Sequence, residues 1–336
     1  MGKGDPEHVS EPSQQSIARR AQVSAIMVSY FTGPLLARAL DALRAQPDVK
    51  EIILVDNGNW DGAVKEAIGE NDSAPPVRLL SGHGNIGFAA ACNLAAASAT
   101  GDVLLFVNPD AILPRGAVAD LLLGGQAEDG PWVIAPKIID PDGAEQQGSR
   151  RATLTPWRAF VETTKLYHIA PKHPYFRRFN LHGDPCPERR TRVPVISGAC
   201  FMLPKTDYDA IGGMDERYFL HVEDVDFCLR FAKAGGRVLF EPAVAVLHFK
   251  SSSRVGPISV EARKTASIIK YFYAHFSNVY PVGFLPLVGV CLWGLFAVKI
   301  VGRTAADALG FVGVNRHRGA AVLRRARAIA SRRASR

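Results

Sequence analysis

The chain has 336 residues, of which 47% are hydrophobic, and this composition excludes an intrinsically disordered protein. The formal charge of +8 is confined to one end: residues 299–336 hold ten Lys or Arg against one acid, and the rest of the chain has a net charge of −1. We therefore expect no nucleic-acid partner. The five cysteines are widely spaced, form no zinc pattern and indicate a reducing compartment.

The chain opens with a polar leader. Residues 1–21 contain Pro6 and Pro12 and lack the apolar segment of a secretory signal. We expect a disordered leader and a cytoplasmic body.

Strand and helix patterns then alternate up to residue 138. Short apolar runs predict strands at residues 23–29, 51–56, 77–81, 102–108 and 132–138. Helical spacing predicts helices between them at residues 34–45, 62–68, 87–99 and 116–123. Such alternation predicts an α/β fold, with a mostly parallel central sheet and helices on both faces. We expect residues 22–138 to form a nucleotide-binding half.

Acids follow two of these strands at the edge where parallel sheets bind ligands. The strand 102–108 ends in Asn108-Pro109-Asp110, and the strand 51–56 ends in Asp56. A carboxylate at this edge can hold a divalent metal on a diphosphate. Each acid could equally form a turn or cap a helix, so the residues alone leave both interpretations open.

A glycine-rich loop, SGHGNIGF at residues 81–88, lies between a predicted strand and a predicted helix. Gly82, Gly84 and Gly87 match the spacing of a dinucleotide-binding motif, but that motif belongs after the first strand, which disfavours a dehydrogenase. The loop backbone can approach a ligand closely, and the following helix N-terminus favours an anion.

Beyond residue 138 the regular alternation stops. Residues 140–192 predict an elaborated loop or a small helical insertion, followed by strands at 193–203, 237–240 and 244–248 and a helix at 224–234. Glu223 and Asp224 open this helix, where the helix dipole favours carboxylates, and a carboxylate there could also remove a proton from a hydroxyl. His248 ends the last strand as a core histidine or a metal ligand. We expect residues 139–276 to form the acceptor and catalytic half.

The C-terminal part combines an apolar segment with the basic tail. Residues 282–298 carry no charge and are near the lower length limit for a membrane span, but Pro281 and Pro286 predict an imperfect single helix. We expect residues 277–336 to associate with the inner face of the cell membrane as a peripheral or monotopic element. A buried core helix followed by a disordered tail is the alternative.

Six motifs occur in order between residues 23 and 276: DN at 56–57, GNIGFAAACN at 84–93, NPD at 108–110, SGACFML at 197–203, GGMDERYFLHVEDVDFCLR at 212–230 and LH at 247–248. Together they resemble family 2 glycosyltransferases, and in particular the bacterial rhamnosyltransferase-like enzymes of surface-polysaccharide assembly. The resemblance implies a GT-A fold and the transfer of a sugar, with inversion, from a nucleotide diphosphate.

The resemblance also implies roles for individual residues. Asp56 would contact the base or ribose, Asp110 would face the metal and diphosphate with help from His248, and Asp224 would be the catalytic base beside Glu223. The predicted nucleotide-sugar contacts are Ser29, Tyr30, Asp56, Asn57, Asn85, Gly87, Phe88, Asn93, Asn108, Asp110 and Gly198. Because Asn108 replaces the usual first acid of the DxD motif, the dependence on Mg²⁺ or Mn²⁺ stays open.

The predicted donor is dTDP-rhamnose, and the predicted acceptor is a hydroxyl of a glycan or a lipid-linked sugar. Galactose, glucose or mannose from a UDP or GDP donor is the alternative within the same reaction class. A nucleotidyltransferase would carry its glycine-rich loop directly after the first strand, where SYFTGP stands. An inactive sugar-nucleotide-binding scaffold is disfavoured by the retained pair Glu223 and Asp224.

Overall fold

The structure is a computed structural model that describes residues 21–60, 62–69, 75–169, 173–249 and 257–308. The predicted leader, apart from Ala21, and most of the predicted basic tail lie outside these residues. The conformation of both ends therefore stays a prediction. The division into two halves at residue 138 also stays a prediction.

The strands and helices follow the predicted alternation closely in the first half. The strands are β1 (Val23–Ser29), β2 (Val49–Asp56), β3 (Val77–Leu80), β4 (Val103–Val107), β5 (Ala111–Ile112), β6 (Trp132–Ile139), β7 (Arg150–Arg151), β8 (Thr191–Arg192), β9 (Val195–Ile196), β10 (Cys200–Pro204) and β11 (Arg237–His248). The α-helices are α1 (Leu35–Arg44), α2 (Ala63–Ile68), α3 (Phe88–Ser98), α4 (Ala117–Gln126), α5 (Pro156–Thr164), α6 (Lys205–Ala210), α7 (Glu223–Lys233), α8 (Pro257–Phe276) and α9 (Phe284–Ala308).

The central sheet has the strand order β3-β2-β1-β4-β10-β6-β11-β5, and β8 pairs with β11. Strands β10 and β5 run against their neighbours, whereas the other strands along this path point the same way. Two apolar clusters cover the two faces of the sheet. This arrangement confirms the predicted α/β fold, and it gathers the carboxyl ends of the parallel strands at one edge.

Two strand predictions in the second half are wrong in detail. The strand predicted at residues 193–203 is divided into β9 and β10, because β9 pairs with β7 in a separate two-stranded sheet. The two strands predicted at 237–240 and 244–248 form one strand, β11. Its register against β6 shifts between Glu241 and Ala245, where Pro242 cannot donate a ladder hydrogen bond.

The apolar segment near the C-terminus forms the continuous helix α9. The two prolines that predicted an imperfect helix do not disturb it, because Pro281 precedes the helix and Pro286 lies in its first turn, where backbone N–H groups have no intrahelical acceptor. The window Phe284–Arg303 has a mean hydropathy of 2.2 and is only 11% buried. By length and composition this helix can cross a membrane.

Helices α8 and α9 pack against each other as a C-terminal hairpin. Helix α8 fixes this hairpin to the body of the protein. His275 Nε2 lies 2.6 Å from Asp226 Oδ1, and Ser267 Oγ donates to the Leu220 carbonyl over 3.3 Å. Tyr271 of the same helix is fully buried in the core. These contacts hold α8 against the segment that leads into α7.

Candidate active site

A cleft of about 1090 Å³ opens at the carboxyl edge of the sheet and at the N-terminus of α7. It brings together most of the residues predicted for the site. The predicted residues that line it are Tyr30, Asn57, Asn85, Gly87, Phe88, Asn108, Asp110, Gly198, Glu223, Asp224 and His248.

One end of the cleft holds a histidine and a carboxylate side chain that lie close together. Strand β5 pairs with β11 so that His248 lies opposite Ala111, and this register brings His248 Nε2 to 3.1 Å from Asp110 Oδ1. Both residues are buried, with 9% and 7% of their surface exposed. Asn108 Nδ2 lies 3.4 Å from the same histidine nitrogen.

Gln146 determines which nitrogen of His248 carries the proton. Its amide nitrogen donates to the His248 carbonyl over 3.1 Å and to Asp140 Oδ1 over 2.7 Å, so its amide oxygen faces His248 Nδ1 at 2.7 Å. That oxygen accepts the Nδ1 proton, which leaves Nε2 to face Asp110.

A divalent cation fits this pair of side chains. Nε2 of a neutral histidine and a carboxylate oxygen 3.1 Å away are two acceptors, and a shared cation would satisfy both. Among the described residues no group of three or more His, Cys, Asp or Glu converges on one point. Mg²⁺ and Mn²⁺ are compatible with so few protein ligands, since substrate phosphates and water complete the shell.

Asn57 joins the DN motif to the glycine-rich loop. It is 3% exposed; its amide nitrogen donates to Asn85 Oδ1 over 3.1 Å, and its oxygen accepts the Ile86 N–H over 3.1 Å. Gly87 has φ +89°, and a Cβ there would lie 2.8 Å from the Phe219 carbonyl oxygen. The loop backbone is therefore held rigidly at the cleft, and residue 87 must be glycine.

Three predicted ligand contacts lie away from the cleft lining. Ser29 is fully buried, and the Asp56 Oδ1 atom accepts from both the backbone and the side chain of Asn59, over 2.9 and 2.7 Å. Asn93 Oδ1 accepts the Tyr208 hydroxyl and the Met214 N–H, over 2.5 and 2.9 Å. In this structure these side chains shape the loops around the cleft, because each is occupied by internal hydrogen bonds.

The segment that enters α7 has a strained backbone. His221 and Val222 have φ values of +66° and +76°, in the left-handed region that β-branched and bulky side chains rarely adopt. Two such residues cost on the order of 1–3 kcal/mol each. This strain sets the direction in which Glu223 and Asp224 leave the first turn of the helix.

Hydrogen bonds hold the Asp224 carboxylate at the cleft wall. Its Oδ2 atom accepts from the Arg151 guanidinium and, over 3.0 Å, from the Gly198 N–H; a Cβ on Gly198 would lie 3.2 Å from the Asp224 side chain. Burial alone would raise the pKa of Asp224, but Arg151 and the N–H donors of Gly198 and Val225 outweigh it and lower that pKa. Asp224 is therefore ionised at neutral pH.

Glu223 has the opposite character. Burial, and then the charge of Asp224, raise the pKa of Glu223 to about 8, and its Oε2 atom has no hydrogen-bond partner among the described residues. Glu223 therefore keeps its proton at neutral pH. Environments that separate the pKa values of two adjacent carboxyl groups give them different roles in a reaction.

The sequence did not point to Gln146 or Arg151. Both lie in the region after β6, where the predicted insertion showed no clear periodicity, and both act through residues at least 70 positions away. No local pattern marks such long-range partners.

The chain is similar to proteins of known activity. Residues 24–185 match the family model described as Glycosyl transferase family 2. N-acetylglucosaminyl-diphospho-decaprenol L-rhamnosyltransferase of Mycobacterium tuberculosis is 30% identical over 240 residues, which are 68% of this chain and 76% of that protein. Rhamnosyltransferase WbbL of Escherichia coli is 25% identical over 232 residues, or 67% and 82% of the two chains.

Two solved structures share the architecture. A mannosyltransferase from Pyrobaculum calidifontis, in complex with GDP-Man and Mn²⁺, superposes with a TM-score of 0.52 at 18% identity and covers 93% of this chain and 81% of its own. GalNAc-T7 with UDP, GalNAc and Mn²⁺ gives a TM-score of 0.54 at 16% identity over 76% of this chain, which spans about half (48%) of that protein. These similarities confirm the predicted GT-A fold.

Proposed function

This chain belongs to glycosyl transferase family 2, and on that basis we propose that it transfers rhamnose from dTDP-rhamnose to a hydroxyl of a lipid-linked acceptor in cell-surface polysaccharide synthesis. The observation that carries the proposal is the placement of an ionised, rigidly held Asp224 in the same cleft as the Asp110 and His248 pair. The names of the relatives from M. tuberculosis and E. coli support the choice of sugar.

The donor diphosphate belongs at the Asp110 end of the cleft. Asp110 and His248 would hold Mg²⁺ or Mn²⁺ there, with Asn108 beside them; when bound, the cation supplies positive charge to the departing diphosphate. The rigid loop at Asn85 and Gly87 approaches the donor with its backbone. Asp56, the predicted base or ribose contact, also holds the 56–59 turn in place through its hydrogen bonds with Asn59.

The reaction is a single displacement. The acceptor hydroxyl oxygen forms a bond to the anomeric carbon while the bond from that carbon to the diphosphate oxygen breaks, and the hydroxyl proton moves to Asp224. A displacement in one step inverts the anomeric centre. Glu223, which remains protonated, avoids placing a second negative charge beside Asp224.

The acceptor side supports a location at the inner face of the cell membrane. Helix α9 exposes Leu287, Val290, Val298 and Val301 by 60–71% each, a stripe that lipid would cover. We propose that the body stays in the cytoplasm, where a nucleotide sugar is available, and that α9 brings it to a lipid-linked acceptor.

A panel of nucleotide sugars tests the donor. We expect dTDP-rhamnose with Mn²⁺ to raise the unfolding temperature of the full-length protein more than UDP-galactose, UDP-glucose or GDP-mannose, because the true donor has the lowest Kd. Transfer of radiolabelled rhamnose to a membrane extract should follow the same order. If a UDP or GDP sugar gave a larger stabilisation, that hexose, and not rhamnose, would be the transferred sugar.

A further inference from the structure

The cleft does not end at the catalytic carboxylates. It continues between α8 and α9, and each helix contributes one face to its wall. The residues on that wall are Val260, Glu261, Arg263, Lys264, Thr265 and Ile268 of α8, and Leu292, Leu295, Phe296, Lys299 and Arg303 of α9. The α9 residues recur every three or four positions and so share one helix face.

Positive charge is concentrated on this wall. Arg263, Lys264, Lys299 and Arg303 face the cleft together with one acid, Glu261, whose Oε2 atom lies 3.6 Å from Lys299 Nζ. Three positive charges remain in excess. In a cleft that must also admit an acceptor, such a surplus attracts an anionic group.

The positive cluster adjoins the catalytic segment. The Arg263 guanidinium lies 4.1 Å from the centre of the Phe219 ring. Burial, and then the nearby Lys264 ammonium, lower the pKa of His221 to about 4, and His221 is three residues from Asp224. The cations are therefore next to the point where the acceptor hydroxyl must lie.

On its other side the cluster adjoins an apolar surface. Leu292, Leu295 and Phe296 precede Lys299 on the same face of α9, in the helix that has the composition of a membrane segment. The wall of the cleft therefore combines a catalytic carboxylate, a group of cations and an apolar helix face. A ligand that matches these three surfaces carries a hydroxyl, a phosphate group and a hydrocarbon chain.

We propose that Arg263, Lys264, Lys299 and Arg303 form a binding site for the diphosphate that joins the acceptor sugar to its lipid chain. This inference rests on the proposed function and deepens it, because it assigns the acceptor to the class of prenyl-diphosphate-linked sugars. The arginine guanidinium groups bind phosphate oxygens in pairs, and the lysines add point charges. The lipid chain lies against the apolar part of the α9 face, at Leu295 and Phe296.

The test removes two of these charges and leaves the catalytic residues intact. The variant Lys299→Gln/Arg303→Gln is compared with Arg324→Gln/Arg325→Gln, which removes the same charge from the basic tail. Farnesyl diphosphate is the probe, titrated by calorimetry into full-length protein in neutral detergent. Saturating dTDP blocks the donor end of the cleft.

We expect the Kd of farnesyl diphosphate to rise at least about tenfold in Lys299→Gln/Arg303→Gln and to be unchanged in the tail control. With a farnesyl-diphosphate-linked N-acetylglucosamine acceptor, the acceptor KM should rise by a similar factor while kcat and the Kd of dTDP stay the same. An acceptor in which farnesyl is attached to the sugar without phosphate should show no difference between the variants.

Three results would overturn the site. These are an unchanged Kd for farnesyl diphosphate, an equal loss in the tail control, and a loss of binding to phosphatidylglycerol vesicles with no change in Kd or acceptor KM. The last result would assign the cations to anionic phospholipid. Failure of the wild-type protein to bind dTDP would instead refute the proposed donor, and the farnesyl diphosphate titration is then carried out with UDP or GDP, whichever binds, as the blocking nucleotide.

Discussion

The two ends of the cleft are built differently. At the donor end Asp110, His248 and Asn57 are less than a tenth exposed, and buried hydrogen bonds hold His248 and Asn57 in place. At the acceptor end Arg263, Lys264, Lys299 and Arg303 project from two helices into open space. The leaving group develops charge at a fixed point and needs preorganised partners, whereas a lipid-linked acceptor must enter and leave. Asp224 lies where the two ends meet.

The largest effect should come from the residue at the junction. We expect Asp224→Asn to lower kcat by at least about 10²-fold, since a general base contributes 10²–10⁴-fold. Donor binding should stay within about threefold, because the donor end does not use Asp224. Residual turnover above a tenth of the wild-type rate, in a variant with normal thermal stability, would contradict the assignment.

A substitution at the donor end should weaken metal-dependent nucleotide binding. Asp110→Ala removes the carboxylate that faces His248, so we expect the Kd of dTDP in the presence of Mn²⁺ to rise by about 10²-fold and the Kd without metal to change little. Calorimetry with and without the cation measures both. An equal change under both conditions would show that Asp110 acts on the nucleotide without a metal.

A smaller effect is expected from Gln146. Gln146→Leu removes the acceptor for the His248 Nδ1 proton, and the loss of such a supporting contact lowers metal affinity by about 10–100-fold. The Kd of Mn²⁺ in the presence of dTDP measures this, and Gln126→Leu, on the exposed end of α4, serves as the control. If both variants bind Mn²⁺ as the wild type does, Gln146 does not orient the histidine.

The effect of Glu223 should appear in the pH dependence of stability. Its pKa is raised by burial to about 8, so the folded protein keeps a proton that the unfolded chain loses above about pH 4.5, and stability falls as the pH rises between these values. In Glu223→Gln the free energy of unfolding should fall by roughly 2–4 kcal/mol less than in the wild type over this pH range.

Denaturant titrations at pH 5 and pH 8.5 give the comparison, with the exposed Glu188→Gln as control. Because glutamine mimics the protonated acid, transfer activity should stay within a fewfold of the wild type at pH 7. Loss of activity comparable to that of Asp224→Asn would make Glu223 the base instead.

The first half of the chain was predictable because its information is local. Strand β4 and the Asn108-Pro109-Asp110 turn are visible as an apolar run followed by a residue that cannot extend a ladder. The partners of these residues were not predictable. His248 reaches Asp110 through the pairing of β5 with β11, and Arg151 reaches Asp224 across 73 positions. Asn93 also has long-range partners that its motif did not reveal, since its hydrogen bonds hold the segment from Tyr208 to Glu216.

The central claim is that one displacement occurs where the donor and acceptor ends meet, with Asp224 as the base. The stereochemistry of the product tests it most directly, through the one-bond carbon–proton coupling at the anomeric carbon of rhamnose transferred from dTDP-rhamnose. A single displacement predicts a configuration opposite to that of the donor. Retention of the donor configuration would require a second displacement and would contradict the account.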